Sequence, residues 1–137
     1  MSIHIDKFEE EVHVLIAERG SQYFDSHYVR DLQQTADGWT ATIEGNETYH
    51  VRLEGHDEIL QWHCTCPFEH GPVCKHVVAV LYAVRDAIRV SRSAASGEID
   101  RWIDQADVHA LRRVLKMQVR MHEPVRNAIY HEIKHED

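Results

Sequence analysis

Disulfides are the first thing this sequence excludes. It has three cysteines in 137 residues, which cannot all pair within one chain, and Cys64 and Cys66 stand one residue apart, a spacing that strains a bridge. Long apolar runs are also missing. None approaches the roughly 18 residues needed to cross a bilayer, so no membrane partner is expected. The opening MSIHIDKFEEEVHV has acidic residues where a secretory signal needs a basic head and an apolar stretch. These absences lead to the expectation of a cytoplasmic protein with reduced thiols. Internal repeats and low-complexity tracts are absent too. With 43% hydrophobic and 28% charged residues the chain is neither a disordered tail nor a fibre.

Positive charge is scarce where it would matter most for an anionic partner. The net charge is −8, and residues 1–73 hold 4 basic against 14 acidic side chains. Residues 74–97 reverse this, with 4 basic and 1 acidic, as do residues 107–134, with 6 and 3. An acidic front and two mildly basic helical segments are thus hidden in the average, and only the latter favour an anion.

What is present falls into three patterns. Ile5, Phe8, Val12, Leu15 and Ile16 recur at helical spacing, and Gly20 is expected to close that helix. From HYVRDLQQT onward the period changes to two, with breaks at Asp37-Gly38, Gly45-Asn46 and Gly55-His56. This predicts four antiparallel strands in a meander, over about 28–35, 39–44, 48–54 and 59–64. Helices return with KHVVAVLYAVRDAIRV, where Val77, Val80, Leu81, Val84 and Ile88 share a face. SRSAASG (91–97) reads as a linker, followed by a short helix in EIDRWIDQA. Asp107 is placed to cap VHALRRVLKMQVRMH, and Pro124 to begin a last helix over 124–134. The expected class is α+β: an N-terminal helix, a four-stranded antiparallel meander, a metal-bound module and C-terminal helices. The expected domains are 1–90, with its core at 62–88, and a helical extension over 98–135.

All three cysteines lie in HCTCPFEHGPVCKHVVAVLYAV. Cys64 and Cys66 are placed at a strand end, where alternate side chains share a face. Pro67, Gly71 and Pro72 turn the chain back, and Cys74 and His76 arrive at the entrance of the next helix. The result is Cys-x-Cys-x7-Cys-x-His, four N/S donors matched to tetrahedral zinc with no position left for water. The helix N-terminus favours thiolate. Three thiolates, one neutral imidazole and Zn2+ sum to −1, which Lys75 can offset. One structural Zn2+ per chain is expected. His63 and His70 stand near enough in sequence to supply the imidazole instead.

The order Cys-x-Cys…Cys-x-His in CTCPFEHGPVCKHVVAVL resembles the SWIM zinc finger. The likeness extends upstream through ERGSQYF, YVRDL and ATIEGNETYHVRL, with Gly45, Tyr49 and Val51 in matching places, and covers about residues 18–88. The tail LRRVLKMQVRMHEPVRNAI is loosely similar to a helical extension often seen there. The resemblance implies a ββα-like zinc module liganded by Cys64, Cys66, Cys74 and His76. It also implies a role in binding DNA or proteins rather than in catalysis.

Other candidates are weaker. Cys74 beside His76 has the look of an activated nucleophile, but coordination would consume both, so no enzyme is expected. His131 and His135 in HEIKHED have i, i+4 spacing suited to a weak surface metal site, though an exposed terminal helix explains them as well. Trp39, Trp62 and Trp102 could stack on bases, but half-buried strands usually keep tryptophan in the core, the reading adopted for Trp39 and Trp62. Arg85, Arg89 and Arg92 follow i, i+4, i+7 with Tyr82 nearby, and His109, Arg113, Lys116 and Arg120 form a second stripe. The expected function is therefore a zinc-binding module that associates with DNA or RNA, alongside a larger protein partner such as a helicase-type ATPase. The alternative is a protein–protein interaction module with no direct nucleic-acid contact.

Overall fold

The computed structural model describes residues 1–67 and 71–133. Its chain divides into two units, Met1–Ser91 and Arg92–Asp137. The first opens with strand β1 (Ile3–His4), a short helix α1 (Phe8–Glu11) and helix α2 (Val14–Asp25). Four strands follow, β2 (Val29–Gln34), β3 (Gly38–Glu44), β4 (Thr48–Glu54) and, after the two-residue β5 (Glu58–Ile59), β6 (Gln61–Cys64). Helix α3 (Lys75–Ala95) is the last element of this unit and runs on past Ser91 to its end at Ala95. The sheet order β2-β3-β4-β6 is the expected antiparallel meander, and β1 pairs with β5 in a separate two-stranded ladder.

Alternation along β3 and β4 sets the two faces of the sheet. Trp39, Ala41 and Ile43, with Val51 and Leu53, are buried, while His50 and Arg52 are exposed. The buried face shares one core with Ile3, Ile5 and Phe8 and with Val77, Val78, Val80, Leu81 and Val84 of α3. Helix α3 is buried all around its first turns, from His76 through Leu81. A helix apolar on every side is enclosed by its own domain. The core reading of Trp39 and Trp62 holds: Trp39 is buried, and half-buried Trp62 donates its indole N–H to the Pro72 carbonyl at 2.7 Å.

Two local expectations change. Gly20 does not end a helix; it lies inside α2, because the helix breaks earlier, at the extended Val12 and His13. A Cβ on Gly20 would sit 2.5 Å from Cγ1 of Val78, so the glycine is there to let α2 approach α3. Leu15, expected on the buried face, is 54% exposed, since that break rotates the second helix. The predicted linker over 91–97 is helical through Ala95. Its serines and alanines are tolerated in a helix, and the turn comes only at Gly97, whose φ of 78° is left-handed.

The second unit holds α4 (Glu98–Gln105), α5 (Val108–Met121) and α6 (Glu123–Glu132). Asp107 occupies the N-cap position of α5, though its side chain makes no capping hydrogen bond, and Pro124 lies in the first turn of α6. No residue of this unit is buried among the described residues.

Candidate metal centre

Strand β6 delivers Cys64 opposite Val51, a buried position of β4. Its side chain therefore shares the inner face. Thr65 prolongs the ladder: its N–H donates to the His50 carbonyl at 3.2 Å and its hydroxyl accepts the His50 N–H at 3.0 Å. The return is braced by the Trp62–Pro72 hydrogen bond, and Cys74 then precedes α3. Its Sγ accepts the N–H of Val77 at 3.5 Å, which makes the sulfur the cap of the helix. His76, the second residue of α3, is buried.

These elements bring the four side chains together. The donor atoms of Cys64, Cys66, Cys74 and His76 all lie within 4.8 Å of one another. His76 turns Nδ1 toward the sulfurs, 3.7 Å from Cys64 Sγ and 3.9 Å from Cys74 Sγ. Tetrahedral zinc with Zn–S of about 2.3 Å and Zn–N of about 2.0–2.1 Å requires S···N edges of about 3.6 Å and S···S edges of about 3.8 Å. The cluster needs only a small contraction to hold such an ion. Four donors of the right softness, with two half-buried and two buried, fit zinc.

Electrostatics favours the same state. Cys64 and Cys74 share a proton: their mutual hydrogen bond pushes Cys64 up and Cys74 down, the latter to about 4. Burial opposes the charge on Cys74, while His76 and the Val77 N–H support it. The arrangement thus favours the thiolate form at Cys74. A metal at Nδ1 of His76 would place the imidazole proton on Nε2. Nε2 is buried with no hydrogen-bond partner among the described residues. The ring packs instead on Tyr49, 4.4 Å between centroids, and edge-on to Tyr23 at 5.4 Å. Lys75 sets its ammonium over the Tyr23 ring at 4.9 Å, one side chain away from the cluster whose charge it was expected to offset.

Residues 49–85 match the family model of the SWIM zinc finger. The matched stretch runs from β4 through the four donors into the middle of α3, which is the ββα-like module the resemblance implied. The upstream likeness over residues 18–48 falls outside it. No curated protein and no solved structure matches the chain.

Around the donor cluster, the other candidates are sorted by position. His63 pairs with Arg52 on the outer face of the sheet and is exposed, so β6 carries it away from the metal donors. His70 lies outside the described residues. Arg85 is not on a free stripe. It donates to Glu9 at 2.6 Å, lies over the Phe8 ring at 4.6 Å and the Tyr82 ring at 5.1 Å, and is 14% exposed. Tyr82 also donates to Glu9, at 2.9 Å. The Arg85 hydrogen bond is the main reason the Glu9 carboxyl is held below its ordinary range. Arg85 therefore ties α1 to α3, and the exposed part of its row shortens to Arg89 and Arg92. Arg113, Lys116, Arg120 and His109 are exposed along α5. Trp102 is 57% exposed on α4. Residues 131–135 spell His-Glu-x-x-His, a fuller pattern than the histidine pair first noted. Its His131 is exposed on α6 beside the Tyr130 ring, and its His135 is outside the described residues. Sequence reasoning missed Tyr23 and Tyr49 as the walls of the His76 site. Only the inward alternation of Tyr49 with Val51 pointed to one of them.

Proposed function

We propose that this chain is a non-catalytic protein-interaction module, in which one structural zinc ion held by Cys64, Cys66, Cys74 and His76 braces the finger. All four donors are spent on the metal, which leaves no open coordination position for substrate. The carrying observation is where the charge lies. The finger-bearing unit Met1–Ser91 has 7 basic and 15 acidic side chains, net −8, whereas residues 92–137 have 8 of each. Phosphate binding depends on cations that release counterions, and Arg85, the most central of the finger's cations, is already bonded to Glu9. A net negative unit suits a protein partner with a basic surface.

Nucleic-acid association is the second reading, favoured by the exposed Arg89 and Arg92 and by the row Arg113, Lys116 and Arg120 on α5. The discriminating experiment titrates zinc-loaded protein against labelled single- and double-stranded DNA and RNA by fluorescence anisotropy at several salt concentrations. At about 0.15 M salt, where exposed charges are screened beyond roughly 8 Å, no binding is expected. A protein captured from extract should survive nuclease. Measurable binding at that salt, weakened by charge reversal of Arg89 and Arg92, would overturn the protein-facing reading.

A further inference from the structure

The second unit exposes two apolar rows, each with a charged row beside it. On α4, Ile99 and Ile103 are each followed by an aspartate, Asp100 and Asp104. Trp102 and Ile103 are 57% and 51% exposed. On α5, Val114, Met117 and Met121 are 57%, 58% and 58% exposed, and each is preceded by a cation, Arg113, Lys116 and Arg120. Helix α6 packs on α5, yet apolar side chains occupy about 200° of α5 at 100° per residue, more than one neighbour covers. Leu111 and Val119 are half-buried, whereas Val114, Met117 and Met121 form an open row, and Leu115 and Val108 are also exposed, at 44% and 50%.

The order of the rows decides how two such helices can pair. The charged row comes one residue after the apolar row on α4 and one residue before it on α5. In right-handed helices these offsets place both charged rows on the same side of an apolar seam only when the helices run parallel. Run antiparallel, the aspartates and the cations fall on opposite sides. Within one chain α4 and α5 are joined by Ala106 and Asp107 alone, both extended. So short a connection allows side-by-side packing only in the antiparallel sense. The matched pairing needs a second chain.

We infer that this protein self-associates through its second unit, α4 of one copy lying parallel to α5 of another. The arrangement is isologous, so a two-fold axis repeats the seam and gives a closed dimer. Trp102 and Ile103 cover the Met117 row, and Asp100 and Asp104 face Arg113, Lys116 and Arg120. This does not depend on what the finger unit binds.

The test uses the full zinc-loaded chain in sedimentation velocity from about 1 to 100 μM. A dimer is expected for the native protein. Asp100→Lys/Asp104→Lys and, separately, Arg113→Glu/Lys116→Glu should each be monomeric, because each sets like charges along both copies of the seam. Mixed together, the two variants should form a heterodimer, since both seams then join opposite charges. Zinc content and far-ultraviolet circular dichroism of each variant report folding independently. A native monomer throughout the range would overturn the inference. So would variants that remain dimeric, or two folded monomeric variants that fail to combine on mixing.

Discussion

Replacing Gly20 with alanine separates two opposite physical expectations. In an open helix interior the change stabilises by about 1 kcal/mol, through the intrinsic preference of alanine. Here the new Cβ would meet Val78 Cγ1 at 2.5 Å, Val78 Cβ at 2.7 Å and the Ala79 nitrogen at 3.1 Å. Ordinary contact begins near 3.4 Å, so α2 must retreat from α3 by most of an ångström. Val78 is fully buried and has nowhere to go. With Val78 immobile and the Ala79 backbone nitrogen also in the way, overpacking costs about 2–3 kcal/mol, the upper part of its usual range, which exceeds the helical gain and leaves a net loss of about 1–2 kcal/mol. For a domain of this size each kcal/mol moves Tm by about 4–8 °C, so Gly20→Ala should melt on the order of 5–10 °C below the native protein at fixed free zinc. Val78 follows His76 by two residues, so the same strain should speed loss of zinc to a chromogenic chelator. The double variant Gly20→Ala/Val78→Ala should be more stable than the sum of its single losses, by the 0.5–3 kcal/mol or so typical of touching residues. A Gly20→Ala protein as stable as the native one, or more so, would refute the close-packing argument.

Metal analysis should find close to one zinc per chain, and retention of that zinc by Cys64→Ser/Cys74→Ser would remove the donor assignment. Chelation should expose the Trp62 region through the start of α3 to hydrogen exchange while β2, β3 and β4 stay protected. Structural zinc contributes on the order of 10 kcal/mol in isolated fingers, but this sheet shares a core with α1 and α3; complete unfolding by chelator is the contrary result. Arg85→Ala should destabilise the first unit by about 1–2 kcal/mol in urea, whereas Arg89→Ala should change it by less than about 0.5 kcal/mol. Glu9 and Glu11 have carboxyls held below the ordinary value of 4.5, by Arg85 and by His4 respectively. A lowered folded-state pKa adds stability that is whole above the unfolded value and is lost as pH falls through the folded one. Stability should therefore decline below about pH 4.5, and Glu9→Gln should flatten that decline in acid titrations followed by circular dichroism.

The cluster of four donors was legible in the sequence because its information is local. Cys64 and Cys66 near one strand end, two prolines and a glycine in the return, and Cys74 and His76 at a helix start fix the donors within one turn of chain. The meander was legible for the same reason, since period-two alternation and Asp-Gly or Gly-Asn breaks are written residue by residue. What sequence could not decide depended on which surfaces meet. Gly20 carries the same letter whether it ends a helix or admits a neighbouring one, and only the approach of Val78 distinguishes them. Arg85 looked like Arg89 and Arg92 because helical spacing shows which side chains share a face, not what stands opposite. Glu9, 76 residues earlier in the chain, became its partner only when α1 packed on α3. His63 and Cys64 are adjacent in sequence yet lie on opposite faces of β6, and pairing with β4 decided which one entered the site. Contacts between distant segments are set by packing, and packing is the property that a linear pattern does not carry.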